Sequence, residues 1–104
     1  MRWRRKSMAT NKDLEIFDKA LSTYGIDKQK WMLVEECGEL LNALAKHIRG
    51  RGSFDELNTE LADVSIMVEQ IARFYGWEEF LEERARKIER LENRLKPQRN
   101  EQST

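Results

Sequence analysis

Two pairs of acidic residues at helical spacing constrain this chain of 104 residues more than any other feature. Glu36 and Glu39 form the first pair, and Glu60 and Asp63 form the second. Both pairs lie in stretches whose apolar residues recur every three to four positions, which predicts amphipathic helices. Because residues three apart share a helix face, each pair presents two carboxylates together.

Glu60 is the most constrained of these acids, because apolar residues flank it on both sides of its predicted helix. At about 100° per residue, the apolar positions of this stretch fall within roughly 80° of Glu60. They are Leu57, Val64, Met67, Val68, Ile71, Phe74 and Tyr75. A carboxylate in such a stripe is costly to bury unless it meets a cation or a full set of hydrogen bonds.

The preceding helix carries a second apolar stripe, which Glu36 borders. The residues predicted to form it are Leu33, Cys37, Leu40, Leu41, Leu44 and Ile48, with Cys37 as a small buried side chain. If the two stripes pack together, four carboxylates converge and either repel one another or take up protons. A hard divalent cation resolves this conflict, so the pattern favours a Mg²⁺ or Mn²⁺ site. The alternative is a solvated acidic face with ion pairs, for example to Lys46, but it does not account for Glu60.

At these residues the chain resembles a known family. The run EECGEL at residues 35–40 and the run ELAD at residues 60–63 are similar to the EExxE…ExxD signature of the MazG-like, all-α nucleoside triphosphate pyrophosphohydrolases. That family includes the dimeric all-α dUTPases, and the resemblance covers Asp13 to Leu95. It implies an all-α, four-helix MazG-like bundle that forms a homodimer or homotetramer. It also implies Mg²⁺-dependent conversion of an NTP or dNTP to the monophosphate and pyrophosphate.

The resemblance also implies roles for individual residues. Glu36, Glu39, Glu60 and Asp63 are the expected ligands of Mg²⁺, for which Mn²⁺ is a possible substitute. Glu35 and Glu39 are the two candidates for orienting or deprotonating the attacking water.

Further residues are candidates for binding the substrate. Trp31 is expected to stack on the base, and the alternative for Trp31 is a core or interface role. Asn42 is expected to form a hydrogen bond with the base. The candidates for phosphate contacts are Lys46, Arg49, Arg84 and Lys87. For Arg49, a solvated loop position is the alternative.

The sequence predicts four helices, at about residues 12–24, 28–48, 54–75 and 78–96. Asn11 and Asp27 are the expected N-caps of the first two, and Ser53 forms a capping box with Glu56 at the third. Residues 1–11 are expected to be a basic mobile arm, residues 12–96 the helical domain, and residues 97–104 a disordered tail. In the last helix, Leu81, Ile88 and Leu95 recur every seven residues, and this seam, with Trp77 and Phe80, is the expected oligomer contact.

The composition argues against nucleic-acid binding, an internal disulfide, a membrane span and secretion. Nineteen basic residues balance nineteen acidic ones, so the chain has no net positive charge that would favour binding to nucleic acid. A single cysteine excludes an internal disulfide and fits the reducing cytoplasm. No apolar run is long enough to span a membrane, and the basic start lacks the apolar region of a secretory signal.

The sequence lacks the ligands for a di-iron site and for a zinc site. One function that competes with the pyrophosphohydrolase is left open. The lone histidine, His47, has leucine three positions before it, so the Glu-x-x-His pairs of a di-iron bundle are missing. One histidine and one cysteine also give no zinc set. The competing function is a non-enzymatic helical oligomerisation or interaction module that works through the last helix and leaves the acids solvated.

Overall fold

The computed structural model describes residues 9–97, and within that range the chain is all-helical, with four helices and no strand. The helices are α1 (Asn11–Tyr24), α2 (Ile26–Ile48), α3 (Phe54–Tyr75) and α4 (Trp77–Leu95). The all-α prediction is therefore confirmed. The expectations for the basic arm and the polar tail fall largely on residues 1–8 and 98–104, which lie outside the described residues.

The N-cap of α1 is Thr10, so the prediction of Asn11 was wrong by one residue. The Thr10 hydroxyl accepts a hydrogen bond from the Asp13 backbone N–H at 3.1 Å, and the Thr10 N–H donates to Asp13 at 3.0 Å. This reciprocal capping box satisfies two backbone donors, which a cap at Asn11 would leave without side-chain partners. Helix α1 thus begins at Asn11, one residue before the predicted start.

The prediction of Asp27 as the N-cap of α2 was also wrong. Gly25 occupies that position and makes no side-chain cap, while Asp27 lies within the first turn. Gly25 has a φ of 82°, and it is the single residue between α1 and α2. That conformation suits glycine because it has no Cβ. At α3, by contrast, the predicted capping box of Ser53 and Glu56 is confirmed.

The residues Ala9–Gly76 form one compact unit in which α2 and α3 pack along each other and α1 packs against both. The buried apolar side chains of the described residues are Phe17, Leu57 and Met67. Leu57 and Met67 belong to the apolar stripe predicted for α3. Two polar side chains, Gln29 and Gln70, are buried beside this small core.

The stripe predicted for α2 is only partly correct. Leu33, Leu40 and Leu44 are half-buried, but Leu41 is 67% exposed and Ile48 is 81% exposed. Cys37 is exposed as well, so its predicted burial was wrong. The error arises because α2 carries apolar residues around much of its circumference, and periodicity alone does not choose which of them face α3.

An ion pair links the middle of α1 to the last turn of α3. The Arg73 guanidinium donates to the Asp18 carboxylate through Nε at 3.0 Å and through Nη2 at 2.7 Å. This fork holds the pKa of Asp18 below its ordinary value, chiefly through the hydrogen bond. The bidentate geometry is the favourable one for an arginine–carboxylate pair.

We expect Asp18→Asn to destabilise the unit by about 0.5–1 kcal/mol at neutral pH, since half of the Asp18 side chain is exposed and solvent screens the pair. Because the pKa of Asp18 is lowered, this contribution is present above the unfolded-state pKa and is lost as the pH falls through the folded-state value. Urea unfolding of both proteins at neutral and acid pH measures it. An equal difference between the two proteins at both pH values would contradict the assignment.

Helix α4 belongs to a second unit and is described by itself. The rings of Trp77 and Phe80 lie 5.6 Å apart at its start, and Glu83 pairs with Arg86 and Lys87 along the same helix. None of its described residues is buried. Among the described residues, no helix combines the length and the apolar character that crossing a membrane requires.

Candidate functional site

Three of the four predicted metal ligands converge between α2 and α3. Glu36 comes from α2, and Glu60 and Asp63 come from α3; one carboxylate oxygen of each lies within 4.8 Å of the other two. All three side chains are half-buried. The spacing within ELAD accounts for the α3 pair, since residues three apart lie on one face, and the packing of α2 along α3 brings Glu36 to them.

Two oxygens of this carboxylate triad (Glu36, Glu60 and Asp63) have no hydrogen-bond partner. Oε2 of Glu36 and Oε2 of Glu60 are both buried, and no donor of the described residues reaches either atom. Buried polar atoms are nearly always hydrogen-bonded, because leaving one unsatisfied is costly. Two unsatisfied oxygens in one cluster indicate a position where a cation or a proton is needed.

The pKa shifts within the triad also indicate a position where a cation or a proton is needed. The pKa of Glu36 is raised, first because burial disfavours its charged form and then because Glu39, Asp63 and Glu60 repel it. Burial is also the main cause that raises the pKa of Glu60, and repulsion from Glu39, Asp63 and Glu56 adds to it. The unliganded site therefore holds its negative charge at a cost, and that cost falls when a cation binds.

Glu39, the fourth predicted ligand, lies at the edge of the triad. It repels both Glu36 and Glu60, and it lines a cavity of about 160 Å³ together with Glu60. Asn42 and Lys46, two of the predicted substrate contacts, line the same cavity. The structure thus brings carboxylates, an amide and an ammonium group to the lining of one cavity.

Glu56 also lines this cavity, and the sequence interpretation assigned it only to the capping box. Its carboxylate accepts a hydrogen bond from the Ser53 N–H at 3.3 Å, and its charge contributes to the raised pKa of Glu60. The signal was present in the sequence, since Glu56 lies four residues before Glu60 on the same face. The loop approaches closely here: a Cβ on Gly52 would lie 3.2 Å from Glu56 Oε2 and 3.4 Å from Lys46 Cβ.

The other predicted site residues lie elsewhere. Trp31 is 69% exposed and lines a separate hollow of about 410 Å³ with Asp27, Lys30 and Val34. Glu35 and Arg49 are exposed and are not among the residues that line the 160 Å³ cavity. Arg84 and Lys87 lie on α4, in the second unit, where Lys87 Nζ is 3.8 Å from Glu83.

The raised pKa values predict how the metal-free protein responds to pH. Because the pKa of Glu36 lies above its ordinary value of 4.5 in the folded state, ionisation opposes folding as the pH rises past that value. We expect Glu36→Gln to match the stability of the wild-type protein below about pH 4.5 and to exceed it at neutral pH. Urea unfolding in the presence of a chelator measures the difference, and a variant less stable at neutral pH would contradict it.

The donor set fits a hard divalent cation. Carboxylate oxygens from two helices, with unsatisfied lone pairs, suit Mg²⁺ or Mn²⁺, which prefer oxygen ligands. No model of a known protein family, no curated protein and no solved structure matches this chain significantly, so the geometry and the sequence motif carry the functional argument.

Proposed function

We propose that this protein is a Mg²⁺-dependent nucleoside triphosphate pyrophosphohydrolase with a MazG-like helical bundle. The observation that carries the proposal is the carboxylate triad with its two buried, unpartnered oxygens. The resemblance of EECGEL and ELAD to the family signature gives the reaction: an NTP or dNTP and water yield the monophosphate and pyrophosphate. When bound, Mg²⁺ would offset the charge of the triphosphate and activate water.

The residues of the chain divide into three roles. Glu36, Glu60 and Asp63 would hold the ion, with Glu39 beside them as a further ligand or as the base that takes a proton from the attacking water. Glu39 fits the second role better than Glu35, because it lines the cavity.

The Lys46 ammonium and the Asn42 amide would donate to phosphate oxygens within the same cavity. At about 160 Å³, the cavity is smaller than the roughly 300–1,000 Å³ typical of pockets for whole ligands. The cavity therefore suits the phosphates, and the nucleoside would extend beyond it. A base stacked on Trp31 would have to lie across the surface of α2.

We further propose a homodimer or homotetramer in the cytoplasm, as the family resemblance and the single cysteine suggest. In that arrangement Arg49, Arg84 and Lys87 remain candidates for phosphate contacts. Their guanidinium and ammonium groups match phosphate oxygens.

The competing proposal is a non-enzymatic helical interaction module. It draws on α4, whose described residues include none that is buried and whose apolar seam includes Leu95, 75% exposed. It offers no reason for two unpartnered carboxylate oxygens between α2 and α3, so the enzyme is the better-supported function.

A substrate panel tests the proposal. The full chain is incubated with each NTP and dNTP, with Mg²⁺ or with a chelator, and released pyrophosphate is measured alongside the monophosphate. We expect Mg²⁺-dependent release of both products from at least one nucleotide. Thermal unfolding with and without Mg²⁺ is measured in parallel, and we expect Mg²⁺ to raise the melting temperature. No turnover across the panel and no shift with Mg²⁺ or Mn²⁺ would favour the interaction module.

A further inference from the structure

The loop between α2 and α3 begins with a hydrogen-bonded turn that closes the C-terminal end of α2. The backbone N–H of Gly50 donates to the carbonyl of His47 at 3.0 Å, and the N–H of Arg51 donates to the carbonyl of Lys46 at 2.8 Å. Gly50 follows the C-cap residue Arg49 and has a φ of 76°, in the left-handed region. These features define a Schellman motif. The backbone of Arg51 is therefore fixed relative to Lys46.

The Schellman turn leads the chain back along the side of α2 that carries Lys46. In this motif the residue that donates the second hydrogen bond commonly packs against the residue whose carbonyl accepts it, here Arg51 against Lys46. Gly52 continues along the same side, since a Cβ on it would lie 3.4 Å from Lys46 Cβ and 3.2 Å from Glu56 Oε2. Lys46 and Glu56 both line the 160 Å³ cavity, so the turn places Arg51 next to that cavity.

The lining of the cavity is too negative to bind phosphates by itself. Among the described residues that line it, Glu39, Glu56 and Glu60 supply three carboxylates, and Lys46 is the one cationic group. A cation at the triad would offset part of this charge, but a triphosphate adds several negative charges of its own. Further positive charge is therefore needed beside the cavity. Arg51 is exposed and adjacent, so it is placed to supply that charge.

The order of the residues along the two helices favours the outer phosphates as the ligand of Arg51. Lys46 lies about two turns beyond Glu39 on α2, and Glu56 lies about one turn before Glu60 on α3. The triad therefore lies toward one end of the cavity, and Lys46 and the Schellman turn lie toward the other. The terminal phosphate carries the most charge in a nucleoside triphosphate, so the end with the positive charges suits it best.

We propose that Arg51 binds the β and γ phosphates of the substrate and that the Schellman turn holds it in place to do so. The identity of this ligand rests on the proposed function. A guanidinium can donate two parallel hydrogen bonds to a phosphate, whereas an ammonium group acts as a point charge. Arg51 would thereby favour triphosphates over nucleotides without outer phosphates. The sequence pattern pointed to Arg49 on this loop, and the turn points to Arg51.

Calorimetric titration of the full chain with Mg²⁺-pyrophosphate tests the contact without any turnover. We expect Arg51→Gln to weaken binding at least about tenfold, because hydrogen bonds between charged groups are lost. Arg51→Lys keeps the charge without the guanidinium fork, so it should recover only part of the loss. Lys19→Gln is the matched control, because it removes one exposed positive charge from α1 and should leave the affinity unchanged.

Turnover of the best nucleotide substrate separates binding from a general loss of structure. We expect Arg51→Gln to raise the KM at least about tenfold and to lower kcat less than about threefold, since it removes binding and leaves the carboxylates in place. The affinity for the monophosphate product, which has no outer phosphates, should not change. The melting temperature without ligand should not change either, because Arg51 makes the Schellman hydrogen bond through its backbone.

The outcomes distinguish this inference from the proposed function. A wild-type chain that does not bind Mg²⁺-pyrophosphate, or an Arg51→Gln variant that binds it as tightly as the wild type, would overturn the inference. An equal loss of affinity in Lys19→Gln would overturn it as well. If the wild type hydrolyses a nucleotide and Arg51→Gln changes neither affinity nor KM, the inference fails and the proposed function stands. If pyrophosphate binds through Arg51 but no nucleotide is hydrolysed, the phosphate site stands and the proposed function fails.

Discussion

Replacing Glu60 by glutamine should reduce Mg²⁺-dependent pyrophosphate release at least about a hundredfold, while the metal-free protein becomes no less stable. The amide has nearly the shape of the carboxylate but carries no charge. It removes one of the three proposed metal ligands and also relieves the repulsion around a group whose pKa is raised by burial and by neighbouring acids. Catalysis and stability should therefore change in opposite directions.

Three measurements check this prediction: turnover, the melting temperature without metal, and the shift of that temperature on adding Mg²⁺. We expect Glu60→Gln to lose both the turnover and most of the shift. The same change at Glu15, an exposed acid of α1, is the control and should alter none of the three. A Glu60→Gln variant that retains full turnover would exclude Glu60 from the metal site.

Replacing Met67 by alanine should destabilise the Ala9–Gly76 unit by about 2–4 kcal/mol. Met67 is 6% exposed, and it is one of three buried apolar side chains of the described residues, the others being Phe17 and Leu57. With so small a core, the neighbours have few ways to fill the cavity. Stability of a domain this size is typically only about 5–10 kcal/mol, so the loss is a large share.

Urea unfolding at fixed protein concentration measures the effect of Met67→Ala. Ile16→Ala is the matched control, because Ile16 lies in the same unit and is 53% exposed, so its truncation should change stability by only about 0.5 kcal/mol. Equal effects of the two changes would show that Met67 is not a core residue. The protein concentration is held fixed because the proposed self-association would add to the apparent stability.

The sequence predicted the helices and the acidic cluster because both depend on local periodicity. The spacing within ELAD placed Glu60 and Asp63 on one face, and the apolar neighbours of Glu60 indicated that this face packs inward. Ser53 and Glu56 likewise form a capping box through contacts three residues apart. Helix periodicity and capping boxes depend on residues three or four apart, so packing against distant residues does not change them.

The errors arose where local patterns offered two nearly equal choices. Thr10 and Asn11 are both good caps, and the reciprocal bond with Asp13 decides for Thr10. On α2, apolar residues occupy two faces, so the sequence alone did not show that Cys37 and Ile48 face outwards. Trp31 was expected to stack on the base of the substrate, but it lines a different hollow from the one beside the carboxylate triad. Each residue along a helix is rotated by about 100°, so residues only a few positions apart can point to different sides.

The proposed binding of a cation at the unpartnered oxygens of Glu36 and Glu60 would be coupled to the release of protons. Since both groups hold protons more tightly than ordinary glutamates, an arriving cation must displace any proton that they carry. In weakly buffered, mildly acidic solution, adding Mg²⁺ should therefore acidify the medium, and acidification should expel the ion.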